Sequence, residues 1–110
     1  MSEQSEVSVI KVAPSQFLKV LEEVKTGDCV LIDVRNPEEF RMEQIDGAKN
    51  VPVSSLVTEL SGMDRDADLI LYCKAGNRSN RAADILKDMG FRHIRVLDGG
   101  IASLKLHLRG

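Results

Sequence analysis

The chain has 110 residues, 43% of them hydrophobic and 29% charged, with a net charge of -2. This balance excludes a disordered chain and gives no reason to expect a nucleic-acid or membrane-surface partner. The length suits one domain, residues 1–110, able to bury a core without a disulfide or metal staple. No apolar run reaches the roughly 18 to 20 residues needed to span a bilayer. Residues 1–6 are polar and acidic, unlike a secretory leader, so a cytoplasmic protein is expected.

In chain order, Val9–Val12 is the first apolar run. Phe17, Val20, Leu21 and Val24 follow at i, i+3, i+4 and i+7, with Pro14 ahead of them and Gly27 behind; this predicts a helix with a start and a stop. Residues 29–33 read Cys-Val-Leu-Ile-Asp, with no polar alternation inside the run. Asn36-Pro37-Glu38-Glu39 opens a second helix, with a capping residue, proline at the first helical position and glutamate at the third. Residues 48–51 form a weaker strand, and residues 69–73 read Leu-Ile-Leu-Tyr-Cys. Ala82, Ile85, Leu86 and Met89 repeat the helical stripe before Gly90, and residues 94–97 complete the set of strands. Continuous apolar strands are buried on both faces, as in a parallel sheet covered by helices. Strands alternating with helices predict an open α/β fold, with strand order left undetermined. Sites in such sheets lie beyond the carboxyl ends of the strands. That singles out Asp33-Val34-Arg35 and the segment from Cys73 onward.

The segment Cys73-Lys74-Ala75-Gly76-Asn77-Arg78-Ser79 joins a buried strand to an amphipathic helix. Gly76 permits a sharp turn that lets successive N–H groups converge. The helix start adds unpaired N–H groups and the positive end of its dipole. Lys74 and Arg78 add two formal positive charges. A free thiol with a pKa of about 8.5 is only about 3% ionised at pH 7. Amides and cations around Cys73 should therefore favour its thiolate, the nucleophilic form. The reading rests on an electron-rich, accessible sulfur ringed by inward-pointing amides; a side chain packed into the interior, or N–H groups turned outward, would remove its basis.

Cys29 stands at the amino end of its strand and Cys73 at the carboxyl end of another. In a parallel sheet these positions lie about 13 to 17 Å apart, whereas a disulfide needs Cα atoms within about 7 Å. Cys29 is expected to be a core residue. Without a Cys-x-x-Cys pair, and with His93 and His107 isolated, neither a metal ribbon nor a zinc site is expected.

Five elements in order resemble the rhodanese family across nearly the whole chain. They are Leu31-Ile32-Asp33-Val34-Arg35, Glu38-Glu39-Phe40, Ile45-Asp46-Gly47-Ala48-Lys49-Asn50-Val51-Pro52, the cysteine loop, and Val96-Leu97-Asp98-Gly99-Gly100. The resemblance implies a three-layer α/β fold, with a central five-stranded parallel sheet flanked by helices. It also implies a sulfurtransferase that needs no cofactor. Cys73 would take a sulfane sulfur from thiosulfate or another donor, hold it as a persulfide, and pass it to cyanide or a thiol. The backbone of Lys74, Ala75, Gly76, Asn77, Arg78 and Ser79 would cradle the sulfur and the donor's anionic group, with Lys74 and Arg78 orienting that group. Asp33 and Arg35 reach the same sheet edge, where a structural ion pair is favoured over a direct role. Ser79 reads as a helix-start residue. The chain departs from the family pattern at Glu43-Gln44, where Gly-His is frequent, and at Leu104, where tryptophan is usual. A smaller side chain at 104 is expected to open the rim of the site or alter donor preference, and Glu43-Gln44 to alter local packing.

The nearest enzymatic rival is a cysteine phosphatase. Those resemble Cys-x5-Arg, whereas only four residues separate Cys73 from Arg78, a tighter loop suited to a single sulfur atom. A second alternative is a relay or regulatory module that receives persulfide from a partner protein.

Overall fold

The computed structural model describes residues 7–110, so residues 1–6, read above as unlike a secretory leader, lie outside the described part. The predicted strands appear as β1 (Val9–Val12), β2 (Val30–Asp33), β3 (Lys49–Asn50), β4 (Asp68–Tyr72) and β5 (His93–Leu97). They form one sheet in the order β1-β5-β4-β2-β3, and every pairing is parallel. The register sets Val30 beside Leu69 and Asp33 beside Tyr72.

The continuous apolar runs divide residue by residue between two cores. Ile32, Leu69, Leu71, Ile94 and Val96 face one side, where Leu56, Leu60, Ala82 and Leu86 cover them. Leu31, Ile70, Tyr72 and Leu97 face the other, against Phe17, Val20, Ile101 and Leu104. A strand pleats with period two, so a strand covered on both faces needs apolar side chains at successive positions. Each fully buried Leu or Ile contributes about 1.5–3 kcal/mol.

Three helices stand where they are predicted: α1 (Pro14–Thr26), α2 (Pro37–Met42) and α4 (Asn77–Asp88). Gly27 closes α1 in the left-handed conformation at φ +86°. In α2 the Asn36 N–H donates to Glu39 Oε1 at 3.1 Å, which fixes the first turn. Two more helices, α3 (Leu56–Leu60) and α5 (Gly100–Arg109), start at Ser55 and Gly99 with no side-chain capping bond, and a short 3-10 turn (Val53–Ser55) precedes α3.

Both cysteines fall just outside the strands predicted to contain them: β2 is one residue shorter and β4 is shifted by one. Cys29 lies just before β2, its N–H bonded to Glu23 O at the end of α1 (3.2 Å). Cys73 lies just after β4, its carbonyl accepting the Ile101 N–H of α5 (2.9 Å). With all strands parallel, the ends of β2, β4 and β5 share one edge. The chain leaves β2 toward β3 and leaves β4 toward β5, so the strand order reverses between β2 and β4. Asp33-Val34-Arg35 and Cys73 flank that switch point, where open α/β sheets place their ligands.

Candidate active site

From the end of β4 the chain turns back over the thiol. Gly76, at φ +116°, supplies the left-handed step before α4. This aims the Gly76 N–H at Cys73 Sγ (3.0 Å) and brings the Ser79 N–H to the same atom (3.3 Å). The Ser79 hydroxyl accepts from the Cys73 thiol at 3.4 Å and donates to Gly76 O at 3.1 Å; to support the thiolate it turns and donates to Sγ instead. Ser79 is therefore no helix cap. It sits within the first turn of α4, buried, with its hydroxyl beside the sulfur.

Burial is the largest single influence on the Cys73 thiol and pushes its pKa up. The Ser79 hydroxyl and the Ser79, Gly76 and Ala75 N–H groups together outweigh it, holding the thiol below its ordinary value. The predicted direction stands, but its main cause lies in the amides and one hydroxyl rather than in the two cations. Lys74 is exposed. Arg78 turns toward α2, where Nη1 and Nη2 donate to the two Glu39 carboxylate oxygens at 2.6 and 3.1 Å. That pair holds the Glu39 carboxyl down at about 2, with the Arg78 hydrogen bonds as the leading cause. An arginine committed in this way does not ring a phosphate, which removes a main feature of the phosphatase alternative.

Cys73 is 1% exposed, so the accessible sulfur expected from the sequence is not found. The reason is geometric. The loop that brings the Gly76 and Ser79 N–H groups to 3.0 and 3.3 Å of the sulfur also covers it. The loop residues Lys74, Ala75 and Asn77 are exposed, which places the thiol one layer of backbone beneath the surface.

Asp33 and Arg35 form a buried pair, 0% and 4% exposed. Arg35 Nε donates to both Asp33 carboxylate oxygens, at 3.0 and 3.1 Å, and Nη2 donates to Oδ2 at 2.8 Å. Arg35 Nη2 also reaches Glu43 O at 2.6 Å. The guanidinium lies 5.6 Å from the centre of the Tyr72 ring, and the Tyr72 hydroxyl accepts the Ile45 N–H at 3.0 Å. Asn50 Nδ2 donates to the carbonyls of Asp33 and Arg35, both at 3.0 Å. These contacts tie β2, β3 and residues 43–45 to the sheet edge. None of them reaches Cys73 Sγ.

Cys29 is buried, and burial first of all pushes its thiol up, against the lowering effect of Arg95, whose Nη2 lies 3.4 Å from the sulfur. By the register Cys29 is level with Asp68, five residues below Cys73, or about 16 Å along the sheet. Both cysteines are free. No helix among the described residues is long and apolar enough to cross a membrane.

The model of the Rhodanese-like domain matches residues 16–107. The chain belongs to the rhodanese family. It is 33% identical over 90 residues to "Thiosulfate sulfurtransferase GlpE" of Ectopseudomonas mendocina, covering 82% of this chain and 79% of that one. It is 34% identical over 70 residues to "Thiosulfate sulfurtransferase PspE" of Escherichia coli, covering 62% and 67%. A crystal structure of a rhodanese-related protein from Thermoplasma volcanium superposes with a TM-score of 0.73 at 28% identity, covering 89% of this chain and 92% of that one.

The departures from the rhodanese pattern now have places. Leu104 is buried among Phe17, Val20 and Ile101 on the α1–α5 face, so the substitution there alters a core and does not open the rim. Glu43 offers its carbonyl to Arg35 and its carboxylate to Lys105 at 2.9 Å. Gln44 Nε2 donates to Phe40 O at 3.1 Å, closing the end of α2. Both residues are exposed, and these polar contacts stand where rhodaneses often carry a histidine.

The Ser79 hydroxyl can be tested alone. Ser79→Ala should move the Cys73 thiol back up and lower its alkylation rate at pH 7 by roughly three- to tenfold. Because the thiolate is the reacting form, the loss should shrink as pH rises toward full ionisation. A pH–rate profile identical to that of the unmodified protein would mean that the hydroxyl does not support the anion.

Proposed function

We propose that this rhodanese-family chain is a sulfurtransferase that carries sulfane sulfur as a persulfide on Cys73. The observation that carries the reading is the convergence of the Gly76 and Ser79 N–H groups on Cys73 Sγ at 3.0 and 3.3 Å. The relatives named thiosulfate sulfurtransferase support the same chemistry.

In the first half-reaction the Cys73 thiolate attacks the outer sulfur of thiosulfate. The S–S bond of the donor breaks, its electron pair leaves on sulfite, and a Cys73 persulfide remains. In the second, cyanide or a thiolate attacks the outer sulfur and Cys73 leaves as thiolate. Negative charge rests on sulfur near the loop at both stages, where fixed amides stabilise it without reorganising. The backbone of Lys74, Ala75, Gly76, Asn77, Arg78 and Ser79 forms the cradle. Lys74, free of any ion pair among the described residues, draws the donor's sulfonate. Arg78 meets that group only in competition with Glu39. Asp33 and Arg35 hold the sheet edge. Admission of the donor requires the loop to part from the sulfur it encloses. No cofactor enters either half-reaction. Two unpaired thiols suit a reducing, cytoplasmic setting.

Thiosulfate and polysulfide, each offered as donor with cyanide as acceptor, test the reading. Thiocyanate should form from a small-molecule donor at a rate that saturates, with the parallel double-reciprocal lines of a ping-pong cycle. Transfer that appears only when a desulfurase is added would replace this reading with a protein-fed relay.

A further inference from the structure

Two of the cations at the sheet edge that carries Cys73 are neutralised where they stand. Arg35 is matched by Asp33, and Arg78, inside the cysteine loop, is matched by Glu39 of α2. Lys74 has no ion-pair partner among the described residues, but it is exposed and water screens its charge. The Arg78 pair is two-pronged. Nη1 and Nη2 each donate to a different Glu39 oxygen, at 2.6 and 3.1 Å, and the two side chains are only 33% and 30% exposed. A guanidinium grips oxyanions through this same planar fork. An oxyanion donor therefore engages Arg78 only by displacing Glu39.

Glu39 is held in that place from two directions. Besides the arginine, the Asn36 N–H donates to its Oε1 at 3.1 Å, which ties the carboxylate to the first turn of α2. It stays ionised, since Arg78 first of all keeps its carboxyl at about 2. Arg78 in turn is held above its ordinary value, first by the Glu39 hydrogen bonds, against burial, and with a smaller contribution from Cys73. The thiolate, the guanidinium and the carboxylate thus share one electrostatic neighbourhood. Thiosulfate brings two negative charges into it. A persulfide on an uncharged organic group brings at most one.

We infer that Glu39 is a positioning residue that sets donor specificity: by filling the Arg78 fork it turns the loop away from dianionic thiosulfate and toward organic persulfides. The inference rests on the sulfurtransferase reading for its step. The Cys73 thiolate attacks the outer sulfur of R–S–SH, the S–S bond of the donor breaks, and the electron pair leaves on R–S⁻. The outer sulfur carries its proton onto Cys73 and releases it to solvent when the new persulfide ionises. Thiosulfate still loads the same sulfur, but more weakly than the loop's amides alone would allow.

Two variants that break the same bridge test this by the direction in which they act. Glu39→Gln removes the charge and keeps an oxygen for the Asn36 N–H. Arg78→Gln removes the cation and leaves Glu39 negative beside the thiol. A labelling arm needs no sulfur chemistry: the alkylation rates of Cys73 by iodoacetate and by iodoacetamide are compared by peptide mass. The reagents differ by one charge, and any change in the thiol's ionisation cancels in their ratio. Glu39→Gln should raise the iodoacetate-to-iodoacetamide ratio about three- to tenfold, and Arg78→Gln should lower it by a similar factor. Both shifts should shrink as salt is added. In the transfer arm, the rate of sulfur loading onto Cys73 is compared for thiosulfate and 2-hydroxyethyl persulfide. Glu39→Gln should raise the thiosulfate-to-persulfide ratio about tenfold, and Arg78→Gln should lower it. Should one variant fail to fold, the other still decides by the sign of its shift. Ratios unchanged in both arms, or shifted in the same direction by both variants, as loss of a merely structural bridge would give, overturn the inference. A labelling ratio that moves while the choice between donors does not would overturn it as well. Labelling ratios as described, with no sulfur loaded from either donor, would instead overturn the transfer reading and the role of Glu39 in donor choice with it.

Discussion

Serine at position 73 is expected to lower thiocyanate formation from thiosulfate and cyanide by more than about a thousandfold, with the thermal melt almost unchanged. A serine hydroxyl stays protonated near neutral pH and forms no persulfide, so the first half-reaction has no nucleophile. The fold should tolerate the change. The Gly76 and Ser79 N–H groups that now meet Cys73 Sγ at 3.0 and 3.3 Å would find an oxygen acceptor near the same place. Burying that hydroxyl with partners costs little. Turnover by Cys73→Ser within tenfold of the unmodified protein would mean that another group carries the sulfur. Glu39 is no source of pH dependence near neutrality, since Arg78 holds its carboxyl at about 2 and the pair persists throughout pH 5 to 8. Glu39 therefore contributes nothing to a pH profile in the neutral range.

Alanine at position 100 should be the most damaging small substitution near the site. Gly100 sits at φ +67°, and a Cβ there would lie 2.5 Å from the Lys74 carbonyl carbon and 2.6 Å from Cys73 O. Those atoms are backbone, and they are held in place, since the Ile101 and Ala102 N–H groups donate to the same two carbonyls at 2.9 and 3.0 Å. The left-handed conformation and the overlap together cost about 2–5 kcal/mol, a large share of the stability of a domain this size. Relief has to come from moving α5 or the start of the cysteine loop. Gly100→Ala should therefore lose thermal stability, and its folded fraction should lose transfer activity as well. A melt and a specific activity both equal to those of the unmodified protein would show that the loop and α5 are not locked together.

Local features were legible in the sequence and distant ones were not. Residues 30–32 and 69–71 show their burial in their composition, because the middle of a strand covered on both faces is apolar at successive positions. The cysteine loop was legible because seven consecutive residues build it, with glycine at the one place that needs φ +116°. The strand order was hidden, since Val30 and Leu69 are neighbours only in space. So was the partner of Arg78. Its glutamate lies 39 residues away, and in sequence Glu39 looks like a capping residue, which it also is. Ser79 is the helix-start residue the sequence suggests, but not its cap, for a related reason. Serine at a helix start suggests a cap, but here Gly76 takes that position and the serine falls within the first turn, beside the sulfur. Helix α5 begins with two glycines at positive φ, residues that disfavour a helix, and tertiary contacts with the Cys73 and Lys74 carbonyls set its start.

Mass spectrometry of the intact protein after mixing with thiosulfate, followed by peptide mapping, addresses the carrier itself. One sulfur atom should be gained per chain, on the peptide containing Cys73, and removed by a reductant or by cyanide. The gain should persist in Cys29→Ser, whose thiol is held high by burial at the opposite edge of the sheet. No added sulfur from thiosulfate or polysulfide, or sulfur found on Cys29 instead, would contradict a persulfide carried on Cys73.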